Sequence, residues 1–510
     1  MRFKRIEKKK KIKRTKSGNL RKIDFFMLGF GSMIGVGWAV SSNGWLSQAG
    51  GPIPAFIGFL IGTLLLVPIG LSYGELMSIL PVSGGVMSFT YAAFGSFMSF
   101  LSSWFVSLAY LIILPWEAIY INEILASIIP AIKSGTILYH FAGKAIYLNS
   151  VILGGFFALV LLLINIKGSK SAAKLQSILS WTIISIGFLV IILSFIKGDI
   201  NNLRPIYSNV GNENHNNFFS GIISMIVLVP FFMSGFDTIA QSAGDARKDL
   251  AFKDIAKMIV FSILGAGMFY AIIIISTSSV EPWANYTFRE APAIGGLLST
   301  VYPSTIGTII RYLVMIGTLA GLFTTWNGMF MASARLLQSM GKAGLLPRFF
   351  SKEHKKFKTP IIASIFCFIA AAFGPFVGIK FVNPLTKIGS VSFVLGWLFT
   401  CLSAIRLRKN AKCLIRGFRI PGGGYTLIGA AFIAAFILIL TFIPSSPAFM
   451  GYVGIVLFFI WLIMGLLFYY FTNYGERGMA EEDRSMVILG TKSNDFCDNY
   501  EYILIDKERQ

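Results

Sequence analysis

Uncharged runs long enough to cross a bilayer recur from one end of this chain to the other. Residues 25–74 hold no charged side chain. A membrane-spanning helix needs about 20 apolar residues in a row, so this stretch is too long for one span. The segment Ser47-Gln48-Ala49-Gly50-Gly51-Pro52 divides it into two. Residues 76–116 are likewise uncharged. A break is expected at Pro81-Val82-Ser83-Gly84-Gly85, then one long helix to about Ile128, kinked at Pro115. Further uncharged runs cover 145–166, 175–196, 218–236, 258–280, 312–334, 359–379 and 388–405. The last run, 420–475, is cut by Pro444-Ser445-Ser446-Pro447. Twelve spanning helices follow. Charged residues make up only 13% of the 510 residues, about half of what a soluble chain carries.

The location of the charges sets the orientation. With the N-terminus inside, the inner segments are 1–22, 167–174, 241–258, 335–358, 406–419 and the C-terminal tail. They hold 37 of the 45 Lys and Arg, so both termini are expected in the cytoplasm, in a multi-pass protein of the cell membrane. The net charge of +22 is therefore a topology signal with an attraction to anionic membrane lipid, not a nucleic-acid footprint, for which no fold or aromatic interleaving speaks. No secretory signal is expected ahead of the first span. Cys367, Cys401, Cys413 and Cys497 form no spaced pair or metal pattern. The acidic-polar tail after Tyr474 has no assigned role.

Two spans carry helix-breaking residues. The first reads Phe30-Gly31-Ser32-Met33-Ile34-Gly35-Val36-Gly37-Trp38, and the sixth reads Pro230-Phe231-Phe232-Met233-Ser234-Gly235-Phe236-Asp237-Thr238. Tight packing through a GxxxG step explains Gly58 and Gly62 in the second span. For the first span an unwound stretch is the preferred reading, because the sixth is breakable at the matching position. These positions match if the chain is two five-helix repeats plus two extra helices, and paired interrupted segments point to a transporter site. Five is odd, so the repeats are inverted. The chain divides into a basic N-terminus (1–22), a core (23–408, repeats 23–196 and 217–408), two additional helices (409–474) and a tail (475–510). At a break, backbone N–H and C=O groups lose their partners. A half-helix N-terminus suits a carboxylate and a half-helix C-terminus suits an ammonium. Two broken helices thus form a receptor for an amino acid zwitterion.

With these residues in view, the chain resembles the amino acid–polyamine–organocation permeases, whose fold is of the leucine-transporter type. Gly31 to Gly37 is similar to the family's GxxIGxG. Tyr73-Gly74-Glu75-Leu76 with Pro81 to Gly85, Gly235-Phe236-Asp237, and Ser333-Ala334-Arg335-Leu336-Leu337 through Gly341, Gly344-Leu345-Leu346-Pro347 and Lys358-Thr359-Pro360 resemble its later signatures. The resemblance implies that the carboxylate meets the N–H groups of Val36 and Gly37. It places the ammonium at the carbonyls of Met33, Phe231 and Ser234, with Ile34, Gly35 and Gly235 in the same unwound segments. Phe231 and Phe236 would close over the ligand. The sixth-helix continuation Ser242 to Lys248 keeps only Asp245 of the family's acidic pair. Some proton-coupled members carry a lysine in the fifth helix, and the spacing places Thr182 there. Thr182 with Thr324 or Thr325 would then serve a sodium site. The coupling ion stays open between H⁺ and Na⁺, and no cofactor or metal is expected.

Ionisable groups inside spans are functional suspects. Asp237, beside the sixth-span break, either couples protons or caps the following half-helix. Glu117 in the third span either meets a cationic group or proton, or reaches interface water. Glu123 is read as near-surface, Glu75 as structural and Arg311 as snorkelling. His140, His215 and His354 fall in loops. The expected activity is secondary transport of an amino acid, with a polyamine or other organic cation as the alternative ligand and a channel as the alternative class. No ATPase motif and no clustered catalytic residues appear, so an enzyme is not expected. Side-chain specificity and oligomeric state are not legible.

Overall fold

The computed structural model describes residues 20–80, 84–167, 170–209, 217–242, 246–247, 249–289, 292–411, 414, 416–473 and 478–490, without the side chains of 170–177 and 241. The basic stretch 1–19, Pro81 to Ser83, Asp245, Cys413, Cys497, His215 and most of the acidic tail lie outside the described residues.

Eleven helical segments among the described residues are long and apolar enough to cross a membrane. In chain order they are Lys22–Val40, Pro52–Ile79, Ser96–Ala126, Leu148–Lys167, Ile178–Lys197, Phe218–Ala240, Phe252–Ser278, Ser304–Lys342, Ile379–Asn410, Gly423–Phe442 and Tyr452–Asn473. A twelfth apolar helix, Ile361–Val377, falls between the eighth and ninth of these and has 17 residues. Counting it as span nine gives twelve spans, as the hydropathy pattern implies.

Their packing has an internal two-fold pattern. Span one packs on seven as six packs on two; three packs on ten as eight packs on five; five packs on seven as ten packs on two. Spans two and seven, three and eight, and four and nine pack against their own counterparts. Exchanging spans one to five with six to ten therefore maps the bundle onto itself. An odd number of crossings per set makes the two halves opposite in sense, the inverted arrangement read from the paired breaks. Span twelve docks on span three by stacking Trp461 on Trp104 at 4.2 Å, and each indole N–H donates to the other's carbonyl at 2.9 and 3.1 Å.

Three elements differ from expectation. The single helix expected from Gly85 to Ile128 is two, Val86–Phe94 and Ser96–Ala126. Gly95 adopts φ 82° between them, a conformation only glycine takes cheaply. The eighth span is 39 residues long and runs well past 312–334 at both ends. Its exposed Arg311 donates to the Ser127 carbonyl at 2.6 Å, capping the end of span three. Finally, a β-hairpin (Ile137–Phe141 with Lys144–Tyr147) follows span three.

Lys22, Lys342 and Arg408 mark one face of the bundle, called here the basic face. A short helix, Glu481–Leu489, is docked there. Its buried Arg484 donates to the Ala343 carbonyl (3.0 Å), Ser96 Oγ (2.8 Å), Glu481 (2.9 Å) and Asn473 Oδ1 (2.6 Å), so one guanidinium ties the ends of spans three, eight and twelve together. Arg484→Ala removes a buried charged donor and is expected to cost about 2 kcal/mol of docking. Limited proteolysis near the tail helix should then speed up roughly thirtyfold. Unchanged cleavage would show that the helix is held by its apolar face, Ile488 and Leu489, alone.

Candidate functional site

The first span is helical from Lys22 to Met33 and again from Gly37 to Val40. Ile34 leaves the helix at φ −91°, ψ 87°, and the Gly35 N–H turns back to the Met33 carbonyl at 3.2 Å. The N–H groups of Val36 and Gly37 meet no backbone acceptor among the described residues. Close approach explains the glycines. A Cβ on Gly35 would collide with the Thr325 hydroxyl, and a Cβ on Gly321 would lie 2.7 Å from the Gly35 carbonyl oxygen. The two backbones of spans one and eight therefore touch at the break.

The sixth span is helical from Phe218 to Phe232 and restarts at Asp237. Gly235 holds φ 120°, and a Cβ there would sit 2.7 Å from Ser32 Cβ and 2.9 Å from Ser32 C. The two interruptions thus meet in space, 203 residues apart in sequence, counting from Ser32 to Gly235. This is the central geometric finding. The intervening carbonyls are partly engaged. Met33 O accepts from Tyr270 Oη at 2.9 Å and Phe231 O from Ser234 Oγ at 2.8 Å. A carbonyl oxygen accepts two bonds, so Phe231 O keeps one open position, whereas Met33 O, which also takes the Gly35 N–H, is filled unless that turn opens.

Aromatic rings wall the junction. Phe232 lies against Gly37, and a Cβ there would be 2.8 Å from its ring. Phe231 packs on Trp116 at 5.6 Å and covers Gly389 of span ten. Phe236 meets Tyr73 edge-on at 5.6 Å and Trp397 at 5.0 Å.

Buried polar atoms without partners gather nearby. Tyr110 donates to Asp237 Oδ2, while Asp237 Oδ1, the Tyr73 hydroxyl, Glu117 Oε2 and the Thr325 hydroxyl have no hydrogen-bond partner among the described residues. Such atoms are rare in folded proteins and each needs a reason. Tyr110 and Glu117 are seven residues apart on one helix, hence on one face. Glu117 lies within electrostatic reach of Tyr270, whose hydroxyl sits on the first-span break. It is 1% exposed, so it does not reach interface water. Glu123, by contrast, pairs with Lys133 at 2.5 Å at the face opposite the basic one. Glu75 pairs with Arg408 at the basic face.

Thr182 is not part of this junction. Its hydroxyl donates to the Ile178 carbonyl at 3.0 Å, and the side chain is half-exposed on the outer surface of span five. The span-five residue packed on the first span is Ser180, which a Cβ on Gly31, about one turn before the break, would strike. Two residues along a helix is a turn of about 200°, so a spacing error of two selects the opposite face. Thr324 does lie there, 3.8 Å from the same Cβ position, though its hydroxyl serves the Ala320 carbonyl at 2.5 Å. Sequence reasoning missed Ser180, Tyr110 and Tyr270. The Tyr110–Glu117 spacing was a usable signal; Tyr270 sits in an ordinary apolar helix and gave none. Tyr270→Phe deletes one hydrogen bond to the break, worth about 1 kcal/mol. A rise in KM of roughly fivefold with little change in maximal rate is expected in an uptake assay; an unchanged KM would detach Tyr270 from the site.

A helical bundle with internal two-fold packing and two paired, touching interruptions defines a membrane carrier. The chain belongs to the amino acid permease family, whose model matches residues 20–468. It is a transporter and not an enzyme. Among its relatives, the branched-chain amino acid permease BcaP of Bacillus subtilis is 28% identical over 88% of this chain and 91% of its own length. The methylthioribose transporter of the same organism is 26% identical over 91% and 94%. BcaP of Lactococcus lactis is 23% identical over 89% and 94%.

Proposed function

We propose that this permease carries a neutral, apolar-side-chain amino acid, held at its two charged ends by the broken spans. The meeting of Gly235 with Ser32 supports the reading most strongly, since it brings the half-helix ends of spans one and six to one point. The carboxylate takes the open N–H groups of Val36 and Gly37, and the ammonium takes the carbonyls of Phe231 and Ser234 and, on displacing the Gly35 N–H, that of Met33, with Ile34 and Gly35 spanning the gap. Phe231, Phe232, Phe236 and Trp116 offer the side chain an apolar surround, which agrees with two relatives named for branched-chain amino acids. The basic face is cytoplasmic in this reading.

Coupling is assigned to protons. Asp237 and Glu117 each present an unbonded carboxylate oxygen inside the bundle, an open position for a proton. The sodium alternative loses Thr182 and leaves Thr325 as its one open hydroxyl. The same two carboxylates favour a second reading, an organic cation without a carboxylate. Uptake of labelled amino acids, polyamines and methylthioribose into liposomes holding the purified protein, under proton and sodium gradients in turn, tests the proposal. Saturable uptake of leucine, isoleucine or valine driven by the proton gradient is expected. Polyamine uptake alone would establish the second reading; methylthioribose uptake alone would remove zwitterion recognition; a sodium requirement would remove the proton assignment.

A further inference from the structure

At the basic face, spans four, eight and nine enclose a cavity of about 220 Å³ that has no part in the central site. Its polar lining is Asn165, Arg335, Gln338, Lys358, Thr359 and Ser364. We propose that this cavity binds the phosphodiester headgroup of an anionic phospholipid from the adjoining leaflet.

Three observations converge on an anion. The first is charge. Residues 348–358 carry Arg348, Lys352, Lys355, Lys356 and Lys358 against one acid, Glu353. That acid is already committed: Lys342 holds it at 2.6 Å and Gln338 donates to it at 3.2 Å. The Lys342 hydrogen bond keeps its carboxyl below the usual range, so Glu353 stays ionised on Lys342. Lys358 forms no ion pair among the described residues and lines the cavity. The second is an orphan donor. Ser364 is 1% exposed, and its hydroxyl has no partner among the described residues although it also lines the cavity. A buried hydroxyl without a partner asks for an acceptor, and a phosphate oxygen is one. The third is backbone conformation. Lys358 adopts φ 55°, which a non-glycine side chain rarely takes and which clusters where function holds it.

The source is read from what flanks the cavity. Ile164 and Phe357 belong to its lining and are both more than a third exposed. Leu163 and Ile365 beside them are exposed too, at 50% and 38%. These side chains form an apolar path from the basic cavity down the outer surface of the bundle, where acyl chains run. A free phosphate ion uses the cations but gains nothing from that path. Basic pockets between spanning helices are known to hold lipid headgroups in this way.

The test uses the delipidated full-length protein in detergent and native mass spectrometry with added phosphatidylglycerol or phosphatidylcholine. One phosphatidylglycerol retained in preference to phosphatidylcholine is expected. Lys358→Gln should weaken that binding about fivefold, the worth of one cation at an anionic surface. Lys352→Gln, a neighbouring charge outside the cavity lining, should not. Ser364→Ala, which keeps all charges and breaks no side-chain hydrogen bond among the described residues, should also weaken retention. Equal losses for Lys358→Gln and Lys352→Gln would overturn the site in favour of diffuse surface charge, as would equal retention of both lipids. Thermal stabilisation by inorganic phosphate matching that by phosphatidylglycerol would overturn the lipid source.

Discussion

Gly235→Ala is expected to abolish most transport while leaving the bundle assembled. The glycine sits at φ 120°, and an alanine there costs on the order of 1–3 kcal/mol in backbone strain. Its methyl group would also stand 2.7 Å from Ser32 Cβ and 2.9 Å from the Ser32 carbonyl carbon. Backbone cannot rotate aside as a flexible side chain does, so one interruption must move off the other. A separation of the two half-helix ends undoes a receptor that depends on both. With about 2 kcal/mol set against the paired geometry, uptake should fall roughly thirtyfold or more. Gly328→Ala, in the eighth span with nothing within 4 Å of the added carbon, is the control. It should transport as the parent does and gain a little helix stability. Parent-level uptake by Gly235→Ala would show that the meeting of the breaks is not needed for transport.

Glu75→Ala should damage the protein itself. Glu75 is 1% exposed and accepts from Arg408 at 2.6 and 3.0 Å and from the Ile420 N–H at 2.9 Å. Arg416, 7% exposed, stands 3.4 Å away. One carboxylate thus neutralises two guanidinium groups and ties span two to the end of span ten and the segment leading into span eleven. Removing it leaves like charges facing each other in a largely buried place. Breaking a buried pair costs about 3–5 kcal/mol, and the quarter exposure of Arg408 argues for the lower end. A fall of roughly 5 °C in the thermal midpoint in detergent is expected. Glu75→Gln, which keeps one acceptor, should fall between. A parent-like midpoint for Glu75→Ala would mean that water already satisfies the arginines.

How much of this was legible in the sequence depends on the range over which each feature is encoded. The spans and the two interruptions are local. Gly31, Gly35 and Gly37 in one span and Pro230 with Gly235 in another announce themselves within a single turn or two of helix. The charge asymmetry of the loops is equally local. Features that depend on which face of a helix looks inward were harder. Thr182 and Ser180 differ by two positions, and only packing against Gly31 tells them apart. Long-range pairings were not legible at all. Nothing near Glu75 announces Arg408, 333 residues away. Nothing near Tyr270 announces that its hydroxyl will hold the first-span carbonyl. The 39-residue eighth span hid its length because Arg311 and Arg335 interrupt the uncharged run, although each lies within the helix. Gly95 was passed over because one glycine in an apolar run is an ordinary event until its φ is known.

Recognition of both ends of a zwitterion by the paired interruptions is best tested by competition against uptake of a labelled branched-chain amino acid in liposomes. Three analogues are added in turn: the methyl ester, the N-acetyl derivative and the amine lacking the carboxylate. Each lost charge-assisted contact is worth about 1.5–3 kcal/mol. The account predicts that all three compete at least tenfold more weakly than the unlabelled amino acid. Competition by the bare amine at full strength would contradict it, because the N–H groups of Val36 and Gly37 would then have no part in holding the substrate.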